Sequence, residues 1–252
     1  MADERRALDE SLRGLGDLYA RYQRLGQRGP ARNSLASRDG PAELGQYAWV
    51  LGASAMSSAI DHLISWNELR QRVHPTYGHM TLLRGSLEGS VLCRWLVDPK
   101  ASAEERLRRG AGAQRHDFQE RGKFERLRTD PINEGGATAK QRIAELDRAM
   151  AKARLKPIQL LGPTDLCARY VADASDLGSG EFVYRLLSAF AHAKQWAILP
   201  ASDYAQHGPM GDLPGVELVA VRASQRLAGA LTNITARTLT VAMDELHAYA
   251  GR

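Results

Sequence analysis

Cysteine is almost missing from this chain. Its 252 residues include two, Cys93 and Cys167, each inside an apolar helical pattern. That is the setting of buried free thiols in a reducing compartment rather than of a disulfide or a metal pair. Long hydrophobic runs are missing too, and no uninterrupted apolar stretch approaches the ~18 residues of a membrane span. The opening segment, Met1-Ala2-Asp3-Glu4-Arg5-Arg6, carries acids and neither an apolar run nor a small-residue cleavage site. The expectation is a cytoplasmic chain, neither exported nor inserted in a membrane.

The signatures of several chemistries are absent as well. There is no Gly-rich phosphate loop ending in Gly-Lys-Ser/Thr, no Gly-x-Gly-x-x-Gly, no Gly-x-Ser-x-Gly elbow and no Ser-x-x-Lys. Nucleotide-dependent and serine-hydrolase readings lose their usual support. A carboxylate-bridged di-metal bundle needs Glu-x-x-His on two helices, and this chain has none. The nearest approach, Asp244-x-x-His247, is a lone pair of the kind that helix surfaces carry. No metal and no cofactor is expected.

What is present is ordinary globular composition, 44% hydrophobic and 25% charged, well removed from that of disordered chains. The net charge of +5 comes from 34 bases and 29 acids. The two signs are interspersed and most bases are arginine, so a mixed, solvated surface accounts for the charge as well as an anion-binding face does.

Read along the chain, the apolar spacing is helical nearly everywhere. Glu4 to Arg24 carries Leu8, Leu12, Leu15 and Tyr19 on one face, and a loop follows from Gly26 to Pro41. Trp49, Ala53, Met56, Ile60 and Leu63 form one stripe of the next helix, beside a second that includes Leu51, Ala55 and His62. That helix ends before His74-Pro75, because the residue preceding a proline is pushed out of the α region. Met80 to Val97 alternates Leu83, Leu87, Val91 and Trp95 with Gly85, Ser86, Gly89 and Ser90, which suits close helix approach, and Asp98-Pro99 stops it. Ser102 to Arg128 is helical but so charged that it should lie on the surface. After a loop at Asp130-Pro131, Thr138 to Lys156 is helical, and a short helix capped by Thr164 or Asp165 reaches Ala174. Gly178-Ser179-Gly180 opens a helix from Glu181 to Ile198. Pro200 to Gly215 is a loop, and Val216 to Tyr249 one long helix. No internal repeat and no useful β alternation appears. The reading is a single all-α domain over residues 1–252, a bundle of about seven helices with long connections.

Two places carry unusual polarity. Arg84 and Glu88 stand four apart on an otherwise apolar and small-residue helix, Glu88 two turns before Trp95. They form either an ion pair that fixes helix packing or one wall of a binding site. On the helix from Glu181, Arg185, Ser188 and His192 fall at i, i+3 and i+7 and share a face, with Tyr184 beside them. Polar groups stacked on one face of an apolar helix need partners or a function. Arg185-x6-His192 is a spacing that Arg72 with His79 and Arg109 with His116 also satisfy, so spacing alone singles out nothing.

The string Tyr184-x3-Ser188-x3-His192, preceded by Leu82-Leu83-Arg84-x3-Glu88-x6-Trp95-Leu96-x-Asp98-Pro99, resembles a bacterial helical family of the DUF5677 type, over residues 45 to 200. That group is distantly similar to HEPN domains, many of whose nucleases place a polar residue directly after the arginine, where this chain has Leu186. The resemblance implies a homodimer and metal-independent RNA cleavage. In that reading His192 acts as general acid or base, since imidazole titrates near neutrality. Arg185 stabilises charge on the phosphate, and Ser188 and Tyr184 orient the phosphate or the imidazole. A second reading takes the same face as a small-molecule or partner pocket between helices, lined by Arg84, Glu88, Tyr184 and His192 and near Trp95. A third makes Ser188 and His192 ordinary core groups that satisfy one another.

Overall fold

The computed structural model describes residues 2–39, 42–72, 77–127, 136–198, 202–209 and 217–252. The breaks expected at His74-Pro75 and Asp130-Pro131 lie outside the described residues. The fold is all-α. The helices are α1 (Ala2–Leu12), α2 (Leu15–Arg28), α3 (Leu35–Arg38), α4 (Ala42–Arg72), α5 (Gly78–Val97) and α6 (Ala103–Leu127). They continue with α7 (Ala139–Lys152), α8 (Pro163–Tyr170), a 3-10 turn (Ser175–Leu177), α9 (Gly180–Ala191), α10 (Gln195–Ile198) and α11 (Gln225–Ala250). Among the described residues, no helix is long and apolar enough to cross a membrane.

One local departure from the helical pattern precedes α11. Residues read as a loop and as the start of a long helix form an antiparallel ribbon, β1 (Ser202–Pro209) on β2 (Glu217–Ala223), with Ser202 opposite Ala223 and an irregularity between Gln206 and Pro209. Val219 and Val221, β-branched and two apart, suit an extended strand better than a helix. The expected first helix is likewise two, broken at Arg13-Gly14.

Contacts divide the chain into two compact units, each threaded from three stretches. One comprises Met1–Ala20, Ser57–Val91 and Pro163–Val241, and the other Arg21–Met56, Leu92–Gly162 and Ala242–Arg252. In the first unit, Met80, Leu83, Leu87 and Val91 run down the buried side of α5, the i, i+3, i+7, i+11 spacing of a core-facing stripe. Ile60, Leu63, Val183, Leu187, Leu231 and Ile234 are sealed with them. The buried threonines of α11 are satisfied locally: Thr232, Thr235 and Thr238 donate to the carbonyls of Ala228, Leu231 and Ile234. Thr232 also accepts the indole N–H of Trp66 at 3.1 Å, and Thr238 accepts the backbone N–H of Ala172. Gly180 lets α9 start against α8, since a Cβ there would stand 2.1 Å from the Cys167 carbonyl oxygen.

In the second unit Leu44, Leu107, Ala111, Leu146 and Met150 form an apolar cluster. The first half of α6 is therefore not on the surface as its charge suggested: residues from Arg106 to Gln114 include eight buried ones. The arginines are buried because they are paired. Arg106 makes a two-pronged contact with Asp39 at 2.6 and 2.8 Å and donates to the Ala101 carbonyl. Arg109 is held by Glu105, Asp98 and the Trp95 carbonyl. Gly112 lets the 156–158 segment lie on α6, because its Cβ would fall 1.6 Å from the Ile158 carbonyl oxygen. At the start of α7, Thr138 and Gln141 complete a reciprocal capping box,.

Candidate functional site

Within the first unit α5 sets Arg84 and Glu88 on one face, and the Arg84 Nε donates to Glu88 Oε1 at 2.8 Å. Neither side chain is sealed, at 22% and 33% exposed, so the pair borders solvent rather than core. The other two arms of the guanidinium reach α9. Nη1 stands 3.3 Å from His192 Nε2, and Nη2 donates to the Tyr184 hydroxyl at 3.3 Å. The guanidinium carbon also lies 5.5 Å from the centre of the Tyr184 ring. One arginine thus joins an acid, a phenol and an imidazole drawn from two helices.

The contact with His192 has a chemical implication. A guanidinium only donates, so in this contact Nε2 of His192 is the acceptor, and the tautomer that fits it has its hydrogen on Nδ1. Burial by itself pushes the Arg84 guanidinium down, but the bond and charge of Glu88, helped by Tyr184, outweigh it and hold it above its ordinary value. Tyr184 is raised by burial and by the charge of Glu88, so its hydroxyl keeps its proton at neutral pH. The site sets a fixed cation beside an imidazole acceptor and a phenol donor.

His192 is freed by the way α9 ends. The helix expected to run to Ile198 stops at Ala191 and resumes as α10 after a turn. Lys194 N–H reaches back to the Ala189 carbonyl and Ala193 N–H to Phe190, with Ala193 at φ +51°. That is the hydrogen-bond pattern of a Schellman stop, which usually has glycine at the left-handed position. An alanine there hides the stop from a sequence reading and strains the backbone by about 1 kcal/mol. Ser179 caps the other end by accepting from Phe182 N–H.

The remaining residues singled out from the sequence fall elsewhere. Arg185 is 62% exposed and pairs with Glu181, one turn back, away from the Arg84 cluster. Ser188 is half-buried, and its carbonyl receives the His192 N–H at 3.1 Å. Trp95 is buried in the second unit, under Arg109, whose guanidinium carbon is 5.6 Å from the indole centre. The structure gathers Arg84, Glu88, Tyr184 and His192 and leaves Arg185 and Trp95 out.

One residue of interest was hidden in an apolar stripe. His62, on α4, packs its ring edge onto α5 at Gly85, the residue that follows Arg84: a Cβ there would stand 2.6 Å from both its Cδ2 and its Nε2. Nδ1 lies 2.7 Å from the Ser58 carbonyl oxygen, which accepts only, so Nδ1 is the donor of this bond and Nε2 is the ring nitrogen turned toward α5. A histidine in an apolar stripe, facing a helix whose neighbouring surface is glycine and serine, is the signal that could have found it.

No family model, curated protein or solved structure matches this chain. The chemistry therefore rests on the residues alone. Among the described residues, no three of His, Cys, Asp and Glu gather closely enough to hold a metal ion. The arrangement offers a cation for an anion, a proton acceptor beside it, and a second imidazole next to the same helix turn.

Proposed function

We propose that the first unit carries a metal-independent ribonuclease site built on Arg84 and His192, as the HEPN-like resemblance implies in outline but with Arg84 in the role first given to Arg185. The observation that carries the reading is the three-way engagement of Arg84, with Glu88 fixing it from behind and His192 and Tyr184 in front. A planar guanidinium so oriented suits the oxygens of a phosphodiester, and Tyr184 supplies a further donor.

The step is an internal transesterification. Neutral His192 takes the proton of a ribose 2′-hydroxyl, and the 2′-oxygen attacks the adjacent phosphorus. The bond from phosphorus to the 5′-oxygen breaks, and that oxygen receives a proton from the protonated imidazole of His62. A 2′,3′-cyclic phosphate and a free 5′-hydroxyl result, with the two imidazoles left in exchanged protonation states. Arg84 offsets the charge that builds on the phosphate oxygens in between, and general acid–base help of this kind is worth ~10²–10⁴-fold.

The test is incubation of the purified chain with mixed RNA in EDTA, beside His192→Ala and Arg84→Lys variants shown by circular dichroism to be folded. Cleavage by the parent chain that falls at least ~10²-fold in either variant, leaving cyclic-phosphate ends, is the expected result. Intact RNA in every lane sinks the nuclease reading and leaves the Arg84 cluster as a site that binds an anion without turnover.

A further inference from the structure

A second feature of the first unit lies on α9, around the helix from Tyr184. Phe182 and Leu186 line a cleft of about 750 Å³ with Leu177, Trp196, Leu227 and Ala230. Its aromatic walls face solvent: Phe182 is 47% and Trp196 60% exposed. Two large aromatic side chains left open beside one cleft are unusual, since a folded chain ordinarily covers such surface.

The rim carries polar groups of both signs. Arg226 and Asp176 both line the cleft. Lys194 stands in the chain midway between His192 of the cluster and Trp196 of the cleft, and its side chain is exposed. Neither Arg226 nor Lys194 is engaged in an ion pair among the described residues, unlike Arg84, Arg185 and Arg237, each of which holds a carboxylate. Cations unpaired among the described residues and open aromatic faces are together the kinds of group that hold single-stranded nucleic acid, in which phosphates and base faces recur in register.

We infer that the Phe182–Trp196 cleft is a nucleobase-stacking subsite for single-stranded RNA, with Lys194 and Arg226 taking the flanking phosphates. This inference rests on the nuclease reading and deepens it by naming the form of the substrate. Lys194 lies between Trp196 and His192 in sequence and its side chain is exposed, which suits it to the phosphate of a strand that joins the cleft to the cluster. Duplex RNA keeps its bases stacked on each other and has none to offer the cleft. The subsite has little preference among sequences, because every base has a π-face, and purines bind best by stacking area.

The intrinsic fluorescence of Trp196 reads this directly. Of the four tryptophans, Trp66 and Trp95 are buried and Trp49 is half-buried, whereas Trp196 is exposed, so the difference between the parent chain and Trp196→Phe isolates its signal. The probe is a short 2′-O-methyl oligoadenylate, which cannot be cleaved because its 2′-oxygen carries no proton. An abasic oligomer of equal charge and a 2′-O-methyl duplex are its comparisons. The expected result is saturable quenching by the oligoadenylate, absent in Trp196→Phe for the tryptophan signal. Affinity measured by anisotropy should fall about tenfold or more in Trp196→Ala and in Phe182→Ala. Equal binding of the abasic oligomer, or unchanged affinity in both alanine variants, overturns the inference. Failure of the two readings is distinguishable: stacking without any cleavage in EDTA overturns catalysis and keeps the cleft, whereas cleavage that is indifferent to Trp196 and Phe182 keeps catalysis and overturns the cleft.

Discussion

At the scale of single residues, the bond between Arg84 and His192 exists only while the imidazole is neutral. Protonating it places two cations 3.3 Å apart, so a substrate phosphate entering between them would relieve a repulsion as well as form new bonds. A different histidine sets a pH limit on the fold. His247 is held below its ordinary value of 6.5, by burial first and by the charge of Arg21 second, and its Nε2 is buried with no hydrogen-bond partner. In the window between the lowered folded value and 6.5 the unfolded chain binds more protons than the folded one. The stability that the neutral ring allows is complete above about 6.5 and is lost as pH falls through the folded value. Thermal melts from pH 7.5 down to pH 5 should show a steeper drop in Tm for the parent chain than for His247→Gln, and parallel curves would refute this role.

At the scale of elements, α4 and α5 meet where Gly85 makes room for His62. Gly85→Ala would put a methyl 2.6 Å from the ring, so His62 must leave while Arg84, Glu88, Tyr184 and His192 keep their own contacts. Only the end of the His62 side chain has to move, and alanine is about 1 kcal/mol better than glycine inside a helix, so urea unfolding should show little loss of stability. RNA cleavage should fall ~10²-fold or more, and the acid limb of its pH profile should alter. Unaltered cleavage in a folded variant would remove His62 from the proposed chemistry. Much of this contact was legible: the small residues of α5 announce a close helix neighbour, and Arg84 with Glu88 announces a polar spot on it. What could not be read was which arginine His192 would meet, because that depends on two helices 108 residues apart in the chain. Spacing within one helix favoured Arg185, which the structure turns to Glu181. The stop after Ala191 was hidden for a local reason, an alanine where glycine is usual. The ribbon was missed because Ala220 and Ala223 fit a helical face as well as a strand.

At the scale of the whole molecule, the buried charges of the second unit are its most exposed weakness. Arg106 and Asp39 have side chains only 4% and 2% accessible, and Tyr249 lies against them, its guanidinium-to-ring distance 5.5 Å. Burial, then the nearby charge of Asp39, drives the Tyr249 hydroxyl far above its usual range, so it serves as a neutral wall. Asp39→Ala leaves Arg106 charged in a dry setting and should cost about 3–5 kcal/mol in urea unfolding. The double variant Asp39→Leu with Arg106→Met should lose less than the single one, and a larger loss would show that the pair adds net stability. That a charged α6 is half core was not visible in the sequence, because its partner acid lies 67 residues away, in a stretch that reads as a loop.

The threading of the two units also governs when the proposed site can exist during synthesis. Each unit takes residues from early, middle and late in the chain, so neither is finished while translation is still in its middle third. Arg84 emerges from the ribosome 108 residues ahead of His192, and α11, whose threonines receive the Trp66 and Ala172 N–H groups, emerges later still. At the ~5–20 residues per second of translation, the cation waits several seconds for its imidazole. On the nuclease reading proposed above, a nascent chain held beside messenger and ribosomal RNA would be silent until most of it has been made, a delay that would spare the template from its own product.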